Sequence, residues 1–287
     1  IIEALAKLGG TSQSLLVRAN VSRAVGVLRG RAALPVVVEA LRSKDDRLIF
    51  ESLIAIQKLR DPEAGPRVVF LLRDLDEKIQ TTAIETVGLL RTADAIPTLQ
   101  RTFDDDPSKK VRRAAITALG RIASPSSREL FLRSIQDRDE EVRAAAAEGL
   151  GRIGRAEDRD AVAAVYKDEG KAGARLAEAF ALVRFGNVEM SEFSPLRDLL
   201  NHLNSRAWRG VASPYLSELL LKEEVRRAVY PMLSTGTKEE KRGVAFALAG
   251  TGAGDAVEVL ERMRRDPDVE VGNDAIRALR ILRANLR

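Results

Sequence analysis

Three consecutive acids, Asp104, Asp105 and Asp106, stand directly before "PSKKVRR", and such a run invites a metal-binding reading. A calcium loop needs a glycine at its sixth position and a bidentate glutamate at its twelfth, and residues 104–115 supply neither. Adjacent carboxylates such as Asp45/Asp46 and Glu140/Glu141 fall at helix starts, where they face the positive end of the macrodipole and not each other. Cysteine is absent, and His202 is the only histidine. Disulfides, zinc–thiolate sites, cysteine nucleophiles and paired-histidine metal sites are thereby excluded. His202, near the end of "LRDLLNHLN", reads as a helix-face residue, not a catalyst. No GxxxxGK(S/T), no GxGxxG behind a strand and no HExxH occurs, so nucleotide hydrolysis, dinucleotide chemistry and zincin chemistry have no footing. The expectation is no catalytic residue, no metal, no cofactor, and hence a protein that is not an enzyme.

The elements that carry these side chains follow from composition and period. With 287 residues, 45% hydrophobic and 31% charged, the chain can bury a sizeable core. Aromatics make up only 4%, while alanine, leucine, valine and arginine dominate, which suits helices packed through small side chains. The net charge is +5, and all of the excess lies in residues 1–122, with 20 Lys/Arg against 15 Asp/Glu; the rest carries 27 of each. Such an interspersed surplus lacks the basic blocks of a strong nucleic-acid binder. No apolar run approaches the roughly 20 residues of a membrane span. The opening "IIEALAKLGG" has neither an initiator methionine nor a signal pattern, so the chain reads as a fragment or processed form, with a cytoplasmic location expected.

An internal repeat is the strongest signal. "LIFESLIAIQKL" from Leu48, "IQTTAIETVGLL" from Ile79, "VRRAAITALGRI" from Val111, "VRAAAAEGLGRI" from Val142 and "ARLAEAFALVRF" from Ala174 are spaced by 31, 32, 31 and 32 residues. "VGNDAIRALRIL" from Val271 follows "EKRGVAFALAGT" from Glu240 by 31 more. Counting from each anchor, positions +4, +8 and +11 share its helical face, with small residues at +4. A shorter apolar segment precedes each run, as in 95–103, 128–136 and 160–168, so a unit is a helix, a corner and a second helix. Asp45, Asp76, Ser108, Asp139 and Asp268 stand three before the anchors, where a side-chain oxygen caps the second helix. The final "LRILRANLR" keeps the helical pattern to the end.

A unit reading D-x-(D/S)-x-x-V-R-x-x-A-x-x-x-L-G-x-I, best seen in 106–122 and 137–153, resembles the short HEAT-like repeats of phycobilisome lyases. The resemblance implies an all-α fold, a right-handed α-solenoid or superhelix of about eight helix-turn-helix repeats whose second helices line a concave face. It also implies a ladder in which Arg112, Arg143 and Arg175, one after their anchors, pair with acids five before them: Asp106, Asp137 and Glu169. A single domain over 1–287 is expected, regular over about 31–186, irregular over 187–236 and repetitive again over 237–287. Pro214 is expected to interrupt a second helix there, and Pro231 to kink or start the next helix.

Positions +2, +6 and +10 of the second helices share a stripe expected to face away from the core. It holds Arg113, Thr117 and Arg121, then Ala144, Glu148 and Arg152, then Leu176, Phe180 and Arg184. Arg121, Arg152 and Arg184, about 10 Å apart by helix-packing distances, form a row suited to an acidic partner. Alternatively, their stems cover neighbouring helices and their heads pair with local acids. Seven of the twelve aromatics lie between 180 and 246, including Trp208 in the irregular stretch, an expected anchor for a partner. The expected function is a non-enzymatic scaffold that binds another protein, one with an acidic surface, through Arg113, Arg121, Glu148, Arg152, Phe180, Arg184 and Trp208. Nucleic acid, held as by HEAT-like DNA glycosylases, is the next alternative, and a bilin lyase or lyase-related subunit the other. The sequence leaves the oligomeric state open.

Overall fold

The computed structural model describes residues 1–73 and 76–286. Arg287, the last residue of the closing helical run, lies outside them. The described residues form helices and turns with no strand, in two compact units, Ile1–Ser134 and Ile135–Arg287. In each unit, consecutive helical hairpins stack as in an α-solenoid, the fold that the period implies.

In the first unit the second helices are Leu15–Val27, Asp46–Leu59, Glu77–Leu89 and Lys109–Ile122, each packed on the next. In the second unit they are Glu140–Ile153, Ala172–Arg184, Arg209–Leu219, Lys238–Ala249 and Val269–Ala284. The anchors Leu48, Ile79, Val111, Val142, Ala174, Glu240 and Val271 are all buried, as the helical period requires. Asp45 accepts from the Leu48 amide at 2.7 Å and Asp76 from that of Ile79 at 2.8 Å, and Ser108, Asp139 and Asp268 cap their helices likewise. Ser14 caps Leu15–Val27 in the same way, which extends the repeat one unit upstream of residue 31, to an anchor at Val17. That unit escapes the sequence pattern because its +4 position is Val21, a larger residue than the alanine or serine of the next repeats.

The corner "DDDPSKKVRR" is a joint. Asp106 accepts from the Ser108 amide at 2.9 Å and from Gln80 Nε2 of the preceding repeat at 3.3 Å. Glu77, also of that repeat, receives Ser108 Oγ at 2.8 Å and Lys110 Nζ at 3.2 Å. Ladder contacts recur farther along. Arg143 grips Glu169 through Nε at 2.6 Å and Nη2 at 3.0 Å while donating Nη1 to the Asp137 carbonyl. Arg175 reaches Asp198 at 2.9 Å, Arg226 reaches Asp255 at 3.0 Å, and Lys241 reaches Asp266 at 2.7 Å. Each bond ties one helix of a repeat to the neighbouring repeat or to its corner.

The irregular stretch is a repeat with altered joints. Its hairpin is Pro195–Asn201 and Arg209–Leu219, followed by a first helix broken at Pro231 into Glu223–Val229 and Met232–Thr235. Pro214 does not interrupt its helix, contrary to expectation. Its ring lacks the N–H that would bond the Gly210 carbonyl four residues before and crowds that carbonyl, yet the helix runs on through it, with Ala212, Tyr215, Leu216 and Leu219 buried on both sides of the proline.

The second helices of seven repeats are followed by a left-handed residue twelve after the anchor: Arg29, Arg60, Arg91, Ala123, Gly154, Gly186 and Gly252. For Ala123, at φ 55°, this conformation brings Cβ against the following carbonyl. Ala123→Gly is expected to raise stability by roughly 0.5–1 kcal/mol, and Gly154→Ala to lower it by about as much. Denaturant midpoints check both, and equal midpoints for Ala123→Gly and wild type would contradict the strain assignment.

Candidate functional site

The expected stripe is not uniformly open. Arg121 is exposed in the last turn of Lys109–Ile122, and Arg113 is half-buried on the same helix. In the second unit the corresponding side chains are engaged by one another. Arg152, its side chain only 15% exposed, holds Glu148 at 2.6 Å and Glu218 at 3.2 Å. Tyr215 donates its hydroxyl to the other Glu148 oxygen at 2.5 Å. Phe180 is fully buried, stacked on Tyr215 with ring centroids 4.9 Å apart, and the Arg152 guanidinium lies 5.4 Å from its centroid.

The expectation that +2 and +6 face away from the core thus fails at Leu176 and Phe180, both buried. At Phe180 the cause is the helix Arg209–Leu219, which lays Tyr215 on its ring and Glu218 beside Arg152. Arg184 is half-buried and donates Nε to the Gly151 carbonyl at 3.1 Å. Trp208 is half-buried beside Gly173, where a Cβ would lie 3.5 Å from its ring. His202 places Nδ1 2.9 Å from the Asp198 carbonyl, a local tie on the residue whose carboxylate also receives Arg175 and the Tyr166 hydroxyl.

An open groove of about 310 Å³ lies beyond this network, lined by Arg209, Ser213, Ser217, Arg242, Gly243 and Phe246, among others. Phe246 stands at +6 from Glu240, the place Phe180 holds in its own repeat, but no tyrosine covers it and it is 49% exposed. Arg209 holds Glu239 at 2.7 Å, and Arg242 holds Asp274 at 2.6 Å. The period alone points to Phe246, and its exposure needed the structure. Among the described residues no group of three His, Asp or Glu is placed to hold a metal ion.

A second anomaly sits in the core. At +4, where other repeats place Ser52, Ala83, Ala115, Ala146, Val244 or Ala275, the repeat of Ala174 places Glu178, with 0% exposure. Neither carboxylate oxygen has a hydrogen-bond partner among the described residues. Burial, reinforced by the charge of Glu169, pushes its carboxyl up to about 8, against the opposing pull of Arg143 and Arg175.

The HEAT-repeat family model matches residues 51–114 and 102–183. The chain therefore carries HEAT repeats, the class that its period and stacked hairpins define. Phycocyanin operon protein Y of Pseudanabaena tenuis (strain PCC 7409) is 33% identical over 112 residues, 38% of this chain and 26% of that protein. The match thus spans about a quarter of that relative's length. The complex of CpcE and CpcF of phycocyanin lyase from Nostoc sp. PCC7120 is 18% identical, with a TM-score of 0.60 over 88% of this chain and 94% of that one. These matches agree with the lyase-type resemblance, and they overturn the expectation of a non-enzyme: the chain in that complex, of this fold over nearly its whole length, is part of a lyase. No described helix is long and apolar enough to cross a membrane.

Two variants test the site's energetics. Arg152→Glu would leave three buried or half-buried acids around one another, so it is expected to destabilise the second unit by about 3 kcal/mol or more. An unchanged melting curve would refute the network. For Glu178, a folded-state value of about 8 against 4.5 in the unfolded chain means that the folded state holds more protons between those values. Stability is therefore greatest at the acid end of that window and is lost as pH rises through it, by at most about 4–5 kcal/mol. Glu178→Gln is expected to match wild type near about pH 5 and to melt higher near about pH 9. Parallel melting-temperature profiles for the two proteins would sink this assignment.

Proposed function

We propose that this chain is a HEAT-repeat subunit of lyase type, which binds a phycobiliprotein-like partner and supports attachment of a bilin to it. The observation that carries the reading is convergence: a sequence relative and a structural neighbour, matched on different grounds, are both phycocyanin-associated proteins. The fold shared with the lyase chain supports the repeat scaffold, and that chain's place in a phycocyanin lyase supports the reaction class.

The described surface suggests where the partner docks. In the second unit the Phe246 groove is open, whereas Glu148, Arg152 and Phe180 are taken up by internal packing; in the first unit, taken by itself, Arg121 is exposed. An aromatic ring rimmed by Arg209 and Arg242 has the make-up of a binding hot spot: an apolar anchor with arginines at its edge. Arg113, Arg184 and Trp208, each half-buried, would contribute at the margins.

Apo-phycocyanin immobilised on a sensor surface is the probe. The wild-type chain is expected to bind it, and Phe246→Ser or Arg121→Glu to weaken binding about tenfold each, roughly 1.4 kcal/mol, with unchanged helicity. Absence of binding by the wild type would overturn the proposal. Equal binding by both variants would move the docking site elsewhere.

A further inference from the structure

Twelve residues after its anchor, a second helix ends on a left-handed residue, a conformation that glycine adopts at no steric cost and that brings the Cβ of any other residue against the following carbonyl. Where helices of the second unit end this way, the residue is Gly154, Gly186 or Gly252. The first unit instead places arginine there three times in succession, Arg29 at φ 51°, Arg60 at φ 52° and Arg91 at φ 52°, before Ala123 closes the series. Each of these repeats holds a costly conformation under a long charged side chain, where glycine would be the relaxed choice. Backbone strain of this kind concentrates at binding and catalytic positions.

A basic residue at a helix C-terminus commonly answers the last carbonyls of its own helix. These three do not. Among the described residues no side-chain hydrogen bond, ion pair or ring contact holds any of their guanidinium groups, and all three residues are exposed. They stand 31 residues apart in sequence, at the ends of helices each packed on the next. Their shared backbone conformation sends the side chains out of the stack in one direction, about 10 Å apart by helix-packing distances. A row of three unpaired guanidinium groups thus runs along the corners of the first unit. A further repeat stacked on either end of the unit would lengthen this row and not cover it, because the corners lie along the side of the stack.

Acids stand between the arginines: Asp61 and Glu63 in the corner after Arg60, and Asp94 in the corner after Arg91. They repel a continuous polyanion such as a nucleic-acid backbone, which carries a charge every few ångströms. The row suits anions set at discrete, wide intervals. On an α-helix, acids at i, i+7 and i+14 stay on one face with about 10.5 Å between them, which is the spacing of the row.

We propose that the row of Arg29, Arg60 and Arg91 docks an acidic α-helix of a partner protein, laid along the corners with one carboxylate on each arginine. Each pair has the planar, two-pronged geometry that arginine offers to a carboxylate. The proposal concerns this row of the first unit alone, and it stands or falls independently of the lyase reading.

The whole protein is titrated at low salt with three fluorescent probes: an alanine-rich helical peptide with glutamates at i, i+7 and i+14, a peptide of the same composition with glutamates at i, i+5 and i+10, which spread round the helix, and a short DNA duplex. Wild type is expected to bind the first peptide about tenfold more tightly than the second. The triple variant Arg29→Gly, Arg60→Gly, Arg91→Gly is expected to lose that preference while melting at a higher temperature, because glycine relieves the left-handed residues. Weaker binding by a more stable protein separates docking from folding. Equal affinity for the two peptides, or a preference that survives in the triple variant, would overturn the proposal. A triple variant that melts no higher than wild type would overturn it too, by removing the strain on which it rests. Tighter binding of the duplex than of either peptide, lost in the triple variant, would assign the row to nucleic acid and overturn the partner assignment.

Discussion

Close approach of successive second helices is the constraint on which the rest depends. Gly26, Gly88 and Gly151 let neighbouring backbones come within a distance that a single methyl would prevent. Once helices are that close, their small side chains are excluded from water with little entropy lost, and dispersion contacts accumulate along the seam. The ladder bonds add direction. Arg143 to Glu169, Arg175 to Asp198 and Lys241 to Asp266 reach across each joint and fix which part of one hairpin meets the next. A scarcity of aromatics follows from the same geometry, because rings would hold the helices apart.

Where the array admits aromatics, its surface changes character. Phe180 at +6 would be an exposed ring on a regular repeat, but the altered joints of residues 187–208 bring Arg209–Leu219 over it, and Tyr215 and Glu218 close the stripe. The result is a dense core of two rings, one guanidinium and two carboxylates. One repeat further on, Phe246 has the same register and no cover. Departure from the repeat thus packs one segment densely and leaves a groove beside it, which separates scaffold from open surface within the second unit.

Glu178 shows the limit of tolerance in such a core. A carboxyl stands where a methyl usually does, and its burial is bearable only while it keeps its proton. Arg143 lies near enough to lower that cost but is already committed to Glu169 by two hydrogen bonds. The repeat of Ala174 therefore couples a ladder bond to a proton in a way that none of the other aligned repeats does, since they have no ionisable residue at +4.

Period, helix pairs and caps were legible in the sequence because they depend on residues a few positions apart or one repeat apart, and the same solution recurs at each anchor. Of the expected ladder only Arg143 to Glu169 forms as anticipated, while Arg112 bonds the Phe103 carbonyl and Arg175 reaches Asp198. The HEAT class follows from the recurrence at each anchor, and so does the corner role of "DDDPSKKVRR". Exposure along the stripe was not legible. Arg121 and Arg152 hold the same register position, yet one is open and the other sits between Glu148 and Glu218, the second of them 66 residues away. Phe180 and Phe246 differ only in what lies above them, and the depth at which Glu178 is buried, at +4 on the core face, is set by the helices packed around it. Local periodicity determines which way a side chain leaves its own helix. Only the packing of distant helices decides whether that direction leads to solvent.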